Sequence, residues 1–217
     1  MASKKRPSHQ LDSLDSQIPG PVIGLDEAGR GCLAGPVAIG FVIFPSSILH
    51  EIPDDLKGIR DSKKLSPARR QAYVRPIQSH SVCSGVLMPS SRTIDRLGIN
   101  PTIEEAMIGA VHRCIRSEVI PRSVLVDGNY PLRRMRALFP DLDIRCIVGG
   151  DDRILSIASA SILAKVFRDR RMVRYDSYYP GYDFTSHAGY GTSHHRSRLM
   201  ELGRSPIHRT SYNFSPP

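Results

Sequence analysis

Val22-Ile23-Gly24-Leu25-Asp26-Glu27-Ala28-Gly29-Arg30-Gly31 is the stretch on which the reading of this chain turns. A short apolar run ends in two adjacent carboxylates, and a glycine-flanked arginine follows. The run reads as a strand, Pro21–Glu27, joined through the glycine-rich turn to a second strand, Pro36–Phe44, in a hairpin-like arrangement. Carboxylate oxygens are the ligands Mg²⁺ prefers. Glycines let bare backbone approach a phosphate or a sugar. An Asp-Glu pair before a glycine turn is also what a solvated turn looks like, so its weight depends on carboxylates elsewhere.

Outward from this stretch, Ser66-Pro67 starts a helix with a cap and a proline in its first turn, and Pro76 limits how far it runs. Ser81–Met88 is a strand candidate. Asn100-Pro101 opens the clearest helix, with Ile103, Met107, Ala110, Val111, Cys114 and Ile115 on one face. Ser123–Val126 is a short apolar strand running into Asp127-Gly128, and Ile144–Val148 another running into Gly149-Gly150-Asp151. Leu155–Met172 reads as a helix whose small residues allow close approach to a sheet. Ser193–Leu202, stopped by Gly203, is a last helix. Paired strands followed by strands alternating with helices predict an α/β fold, a mixed sheet covered by helices. Sites in such sheets collect at the carboxyl ends of strands.

Composition narrows the partners. The 217 residues hold 30 Lys and Arg against 21 Asp and Glu, a net charge of +9, which favours a polyanion. Residues 1–20, with Lys4-Lys5-Arg6 among Ser, Asp, Gln and Pro, read as a flexible basic arm without the apolar stretch of a secretory signal. No later change of composition divides residues 21–217. The longest apolar run, Val37–Phe44, is too short to span a bilayer. Cys32, Cys83, Cys114 and Cys146 are far apart, which excludes zinc spacing. They fit a reducing compartment, so a soluble intracellular protein is expected.

Asp26, Asp127 and Asp151 each follow an apolar strand or its exit loop, so with Glu27 they form a candidate shared site. Massed carboxylates are costly unless cations compensate them. In a basic protein such a cluster makes sense as a metal site beside a bound polyanion. Adjacent residues cannot both face one site from regular backbone. Asp152 therefore suits the first turn of the next helix, and Glu27 contributes only because the strand is expected to end there.

Asp61-Ser62-Lys63-Lys64-Leu65 precedes a helix start, where lysines can meet phosphates. Lys165, Arg168, Arg170 and Arg171 form a basic helix end consistent with dipole compensation. Tyr178–His195 interleaves Tyr, Gly and His, a composition suited to stacking on sugars or bases and equally to a loop packed on the core. His194-His195 has no further soft ligand at useful spacing.

Six segments in order are similar to those of one family. They are Gly24-Leu-Asp-Glu-Ala-Gly-Arg-Gly-Cys-Leu-Ala-Gly-Pro36, Asp61-Ser-Lys-Lys-Leu65, Val126-Asp-Gly-Asn129, Ser156-Ile-Ala-Ser-Ala-Ser-Ile-Leu-Ala-Lys165, Gly189-Tyr-Gly-Thr192 and Ser205-Pro-Ile-His-Arg209. Together they resemble bacterial ribonuclease HII, the type 2 ribonuclease H, over nearly all of Pro21–Phe214. The resemblance implies a ribonuclease H-like fold: a five-stranded mixed sheet flanked by helices, with a small helical C-terminal region. It implies hydrolysis of the RNA strand of RNA–DNA hybrids and nicking 5′ of ribonucleotides embedded in duplex DNA. Two Mg²⁺ or Mn²⁺ ions would be held by Asp26, Glu27, Asp127 and Asp151, in a cytoplasmic monomer.

By the same resemblance, Gly29-Arg30-Gly31 reads the ribose 2′-hydroxyl, the local mark of RNA. Tyr190 packs on the following deoxy sugar, and Lys63, Lys64 and Lys165 contact phosphates. One departure stands out: Gly149 occupies the place of a lysine usual in the family, two residues before Asp151. The missing cation keeps open a silent hybrid-binding module. A dinucleotide-binding reading of Gly29, Gly31 and Gly35 fails on spacing, with three residues before the last glycine where two are needed.

Overall fold

The computed structural model of the chain describes residues 14–216. Five strands, β1 (Val22–Ala28), β2 (Ala38–Ile43), β3 (Cys83–Leu87), β4 (Ser123–Asp127) and β5 (Asp143–Ile147), form one sheet in the order β3-β2-β1-β4-β5. β1 and β2 pair antiparallel, as do β2 and β3, whereas β1, β4 and β5 run parallel. The expected mixed sheet is present.

The helices are α1 (Ser46–His50), α2 (Pro67–His80), α3 (Ser91–Leu97), α4 (Ile99–Arg116), α5 (Arg133–Leu138), α6 (Leu155–Tyr178), α7 (Phe184–His187) and α8 (Ser193–Leu202). On one face of the sheet, Ile103, Met107 and Val111 of α4 pack on Ile23, Leu25, Phe41, Val124 and Val126. On the other, Leu155, Ala158, Ile162 and Val166 of α6 join Val74 and Ile77 of α2 under Val42. The middle of the sheet is thus covered on both faces, which explains why β1 and β4 read as continuous apolar runs rather than alternating ones.

α6 lies unusually deep. A Cβ on Gly24 would run into the backbone of Ser156 and Ile157, and one on Gly40 into the carbonyl oxygen of Ala160. The strand glycines and the Ser/Ala-rich start of the helix are therefore two halves of one contact. Gly40→Ala should destabilise the fold by about 1–3 kcal/mol through overpacking against helix backbone, which urea unfolding of the two proteins would measure.

Three expectations need correction, and several short helices were not foreseen. Pro76 does not limit α2; it sits half-buried inside the helix, which continues to His80. α6 runs six residues past Met172, so Arg168 and its basic neighbours are not at a helix end. α3, α5 and the one-turn α7 fall in segments too short or too polar to show a period. β1 extends to Ala28 rather than stopping at Glu27.

Residues 1–13 of the expected arm lie outside the described residues. Its remainder is docked rather than free: Leu14–Gln17 form a 3-10 turn, and Asp15 is buried. Asp15 Oδ2 accepts a 3.0 Å hydrogen bond from Ser156 N–H, while Ile154, just before α6, makes no side-chain cap. An aspartate 141 positions upstream thus supplies the anion that the helix N-terminus favours.

Candidate active site

β1 and β4 are parallel and in register, with Leu25 opposite Val126. Asp26 and Asp127 are the next residue of each strand. Leu25 and Val126 point into the α4 side of the core, so successive alternation turns both aspartates toward α6. Asp151 arrives from the turn Gly150–Asp152 that leads into α6. Asp127 Oδ1 shapes that turn, accepting from Gly150 N–H at 2.8 Å and from Asp151 N–H at 3.4 Å. Each of Asp26, Asp127 and Asp151 places an oxygen within 4.8 Å of the others. Three hard oxygen donors converging from three elements fit a divalent ion.

The electrostatics agree. Asp26 is held well above the usual carboxylate range, first by burial, then by the charges of Glu27 and Asp127; its Ser161 neighbour eases the charge. Asp151 is pushed up to about 6 by burial, then by the charges of Asp127 and Asp61. Lys63 Nζ lies 4.0 Å from Asp151 Oδ2. Burial works against the charge of Lys63, but Asp61, Asp151, Asp26 and Asp127 outweigh it and hold its ammonium above the ordinary range. Asp151, rather than Asp152, enters the site, and Asp152 ion-pairs with Lys64.

Glu27 stands apart from the triad. Because β1 continues through it, alternation sends its side chain to the opposite face. There burial raises its pKa, while the Tyr130 hydroxyl and Arg30 ease its charge. Arg30 Nη1 donates to Tyr130 Oη at 2.6 Å and Nη2 to Asn100 Oδ1 at 2.6 Å. Of the lysines expected at phosphates, Lys63 faces the acids, Lys64 is paired with Asp152, and Lys165 donates to Asp169 at 2.9 Å beside the Tyr190 ring.

Two buried arginines, Arg209 and the Arg168 that read as dipole compensation, hold the glycine loop. Arg209 donates to the carbonyls of Gly29 (2.7 Å), Arg30 (2.6 Å) and Gly35 (3.1 Å). Arg168 donates to Pro36 (2.9 Å), Ala34 (3.2 Å) and Ala188 (2.9 Å). The C=O and N–H of a trans peptide point in opposite directions. With the Gly29 and Arg30 carbonyls turned in toward Arg209, the N–H groups of Arg30 and Gly31 point away from it. Gly29 has φ +86° and lies against the Arg168 side chain, where no Cβ fits, while a Cβ at Gly31 would meet open space. Tyr190 is 40% exposed, with Lys165 Nζ 5.3 Å and Arg168 Cζ 5.6 Å from its ring centroid. Arg209 sits in a quoted motif and so had a signal; Arg168 and Tyr130 had none, because only the fold brings them to the loop.

A five-stranded mixed sheet of this order, flanked by helices, with acids at the ends of its central strands, is the ribonuclease H-like fold. The ribonuclease HII of a PCNA complex from Archaeoglobus fulgidus matches it with a TM-score of 0.74 at 25% identity, over 91% of this chain and 98% of that one. The family model "Ribonuclease HII" matches residues 23–214. Ribonuclease HII proteins of Parasynechococcus marenigrum and Geobacter sulfurreducens are each 44% identical over 191 residues, covering 88% of this chain and 81% of the relative. The chain belongs to the ribonuclease HII family and is a ribonuclease H hydrolase.

A raised carboxylate pKa adds stability that is fully present below the ordinary value and lost as pH rises, for Asp151 through about 6. A bound cation reverses that loss by taking the deprotonated form. Mg²⁺ should therefore raise the unfolding midpoint more at about pH 7.5 than at about pH 5.5, an outcome that thermal unfolding followed by circular dichroism would check at both values.

Proposed function

We propose that this chain hydrolyses the RNA strand of RNA–DNA hybrids and also nicks duplex DNA on the 5′ side of an embedded ribonucleotide. The products are 3′-hydroxyl and 5′-phosphate ends. The observation that carries this reading is the convergence of Asp26, Asp127 and Asp151 beside a glycine loop whose carbonyls are drawn inward. Asp26, Asp127 and Asp151 would hold one of two Mg²⁺ or Mn²⁺ ions, and Glu27, which rests on Tyr130 but lies near enough to raise the pKa of Asp26, would complete the shell of the second by turning from the tyrosine. When bound, such ions supply an activated water and charge compensation at the departing 3′-oxygen.

The chain's own residues supply the rest. The outward N–H groups of Arg30 and Gly31 present donors to a ribose 2′-oxygen, which DNA lacks. Arg30, held by Tyr130 and Asn100, keeps the loop in place while Glu27 is retained across the same tyrosine. Lys63 stands at Asp151, where it offers a cation to a phosphate and stands in for the lysine that Gly149 replaces. Tyr190 offers an apolar face to the deoxy sugar after the ribonucleotide. The four cysteines are free thiols, in keeping with a cytoplasmic location, and the enzyme is taken to act as a monomer.

A labelled duplex with one ribonucleotide and a long hybrid, each with and without EDTA, test the reading. Asp26→Asn should lower cleavage of both by at least about a hundredfold with the circular dichroism spectrum preserved; retained cleavage removes the assignment. Tyr190→Ala should lower the junction-to-hybrid rate ratio, and an unchanged ratio counts against a sugar-packing role.

A further inference from the structure

Behind the Tyr190 loop lie three buried histidines that the reaction does not use: His187, His195 and His208. Their hydrogen bonds fix every proton. His195 Nδ1 is 2.9 Å from the Tyr190 carbonyl oxygen, which can only accept, so Nδ1 carries the hydrogen. His208 Nδ1 accepts from Ser205 N–H at 2.9 Å, so its hydrogen is on Nε2. The two Nε2 atoms are 3.0 Å apart, and His208 therefore donates to His195. His187 Nε2 donates to the Tyr182 carbonyl at 2.9 Å, and its Nδ1 accepts from Gly189 N–H at 3.1 Å. His187 and His195 stack, with ring centroids 4.3 Å apart and planes 16° apart. One ring holds the N–H just before Tyr190 and the other the carbonyl of Tyr190 itself.

We propose that His187 and His195, the latter aligned by His208, are positioning residues that hold Tyr190 where it meets the sugar beyond the ribonucleotide. This rests on the reading of Tyr190 given above. A fourth hydrogen on the trio would set N–H against N–H at the His195–His208 contact, at Gly189 or at Ser205. The device therefore works only with neutral rings. Burial, foremost, lowers the pKa of His195 and of His208 to about 4, and that of His187 below its ordinary value. The charged and titratable groups facing the trio are Asp183 before α7, Asp176 on α6, His194 on α8 and Arg204 beyond it. The two aspartates favour protonation of His187, whereas His194 and Arg204 oppose protonation of their neighbours. All three rings are neutral at pH 7, and the grip loosens only in acid.

Two substitutions separate this role from simple packing. An Asn amide nitrogen can take the place of Nδ1, so His195→Asn keeps a donor to Tyr190. A Gln side-chain end reaches the place of Nε2, so His195→Gln keeps the His208 contact and leaves the Tyr190 carbonyl without its imidazole. The readout is the junction-to-hybrid rate ratio at pH 7.5, which general loss of folded protein does not move. His195→Gln should lower the ratio about tenfold, the scale of one hydrogen bond left unmade, and His195→Asn by less than about threefold. A ratio unchanged in His195→Gln, or lowered equally in both, overturns the proposal.

Tyr190→Ala, measured alongside, locates any failure. A ratio that falls there but not in His195→Gln rejects the positioning role alone, and one that falls in neither rejects the tyrosine reading as well. Should the variants not fold, ¹⁵N NMR of the histidine-labelled wild type at pH 7 decides. Neutral His195 protonated on Nδ1 and neutral His208 protonated on Nε2 support the chain of donors, and the opposite tautomer or a charged ring overturns it.

Discussion

α6 rests directly on the backbones of β1 and β2, and the working parts of the enzyme are placed by that contact. It needs Gly24 and Gly40 on the strands and small residues on the helix, since a single Cβ at either glycine would collide with helix backbone. Once the helix is down, the turn before it delivers Asp151 to Asp26 and Asp127. A helical turn and a half further on, Ser161 stands beside Asp26 and bonds Ser62 at 2.9 Å, tying in the segment that carries Lys63. Beyond that, Lys165 and Arg168 reach the Tyr190 ring, and Arg168 reaches the glycine loop. One helix thus indexes the acids, the glycine loop and the Tyr190 ring.

Charge follows the same division. The acids are concentrated, and burial with mutual repulsion holds Asp26 and Asp151 above the ordinary carboxylate range, a strain that a bound cation would relieve. The arginines behind the loop are the converse. Arg168 and Arg209 are fully buried, and their hydrogen bonds run to carbonyl oxygens. Carbonyl dipoles satisfy the N–H groups but leave the positive charge in place. The loop is consequently held in place and electropositive from behind, which would suit the approach of a phosphodiester under the function proposed for it.

Much of this was legible in the sequence. The strands carrying Asp26 and Asp127 were visible because each is a short apolar run buried on both faces, whereas β5, before Asp151, is only partly buried and showed through its apolar residues and the glycines that follow it. Asp151, preferred over Asp152, is the one that lies with Asp26 and Asp127, since the turn can aim only one of the two inward. Glu27 is the instructive difference. The geometric objection to neighbouring acids sharing one site was stated from the sequence, and with β1 continuing to Ala28 the Glu27 side chain rests beside Tyr130, outside the cluster of Asp26, Asp127 and Asp151. Arg168 looked like dipole compensation because a pattern of charges says nothing about which cation will be buried. Its partners lie 20 to 134 positions away, and no local spacing encodes them.

The Tyr190 loop shows why a composition suited to stacking and a composition suited to packing are hard to tell apart. Both descriptions hold, for different residues. Tyr182 and Phe184 stack on each other at 5.3 Å and are buried with the histidines, whereas Tyr190 is exposed. Lys165 and Arg168 lie near its ring but are spoken for, by Asp169 and by backbone carbonyls. A ring so placed cannot swing inward without displacing buried guanidinium bonds. Its backbone cannot shift without breaking an imidazole contact on one side or the other. The tyrosine is therefore held in one exposed pose, and in the role proposed for it a fixed apolar plate would discriminate between sugars by shape where a mobile one would adapt to both.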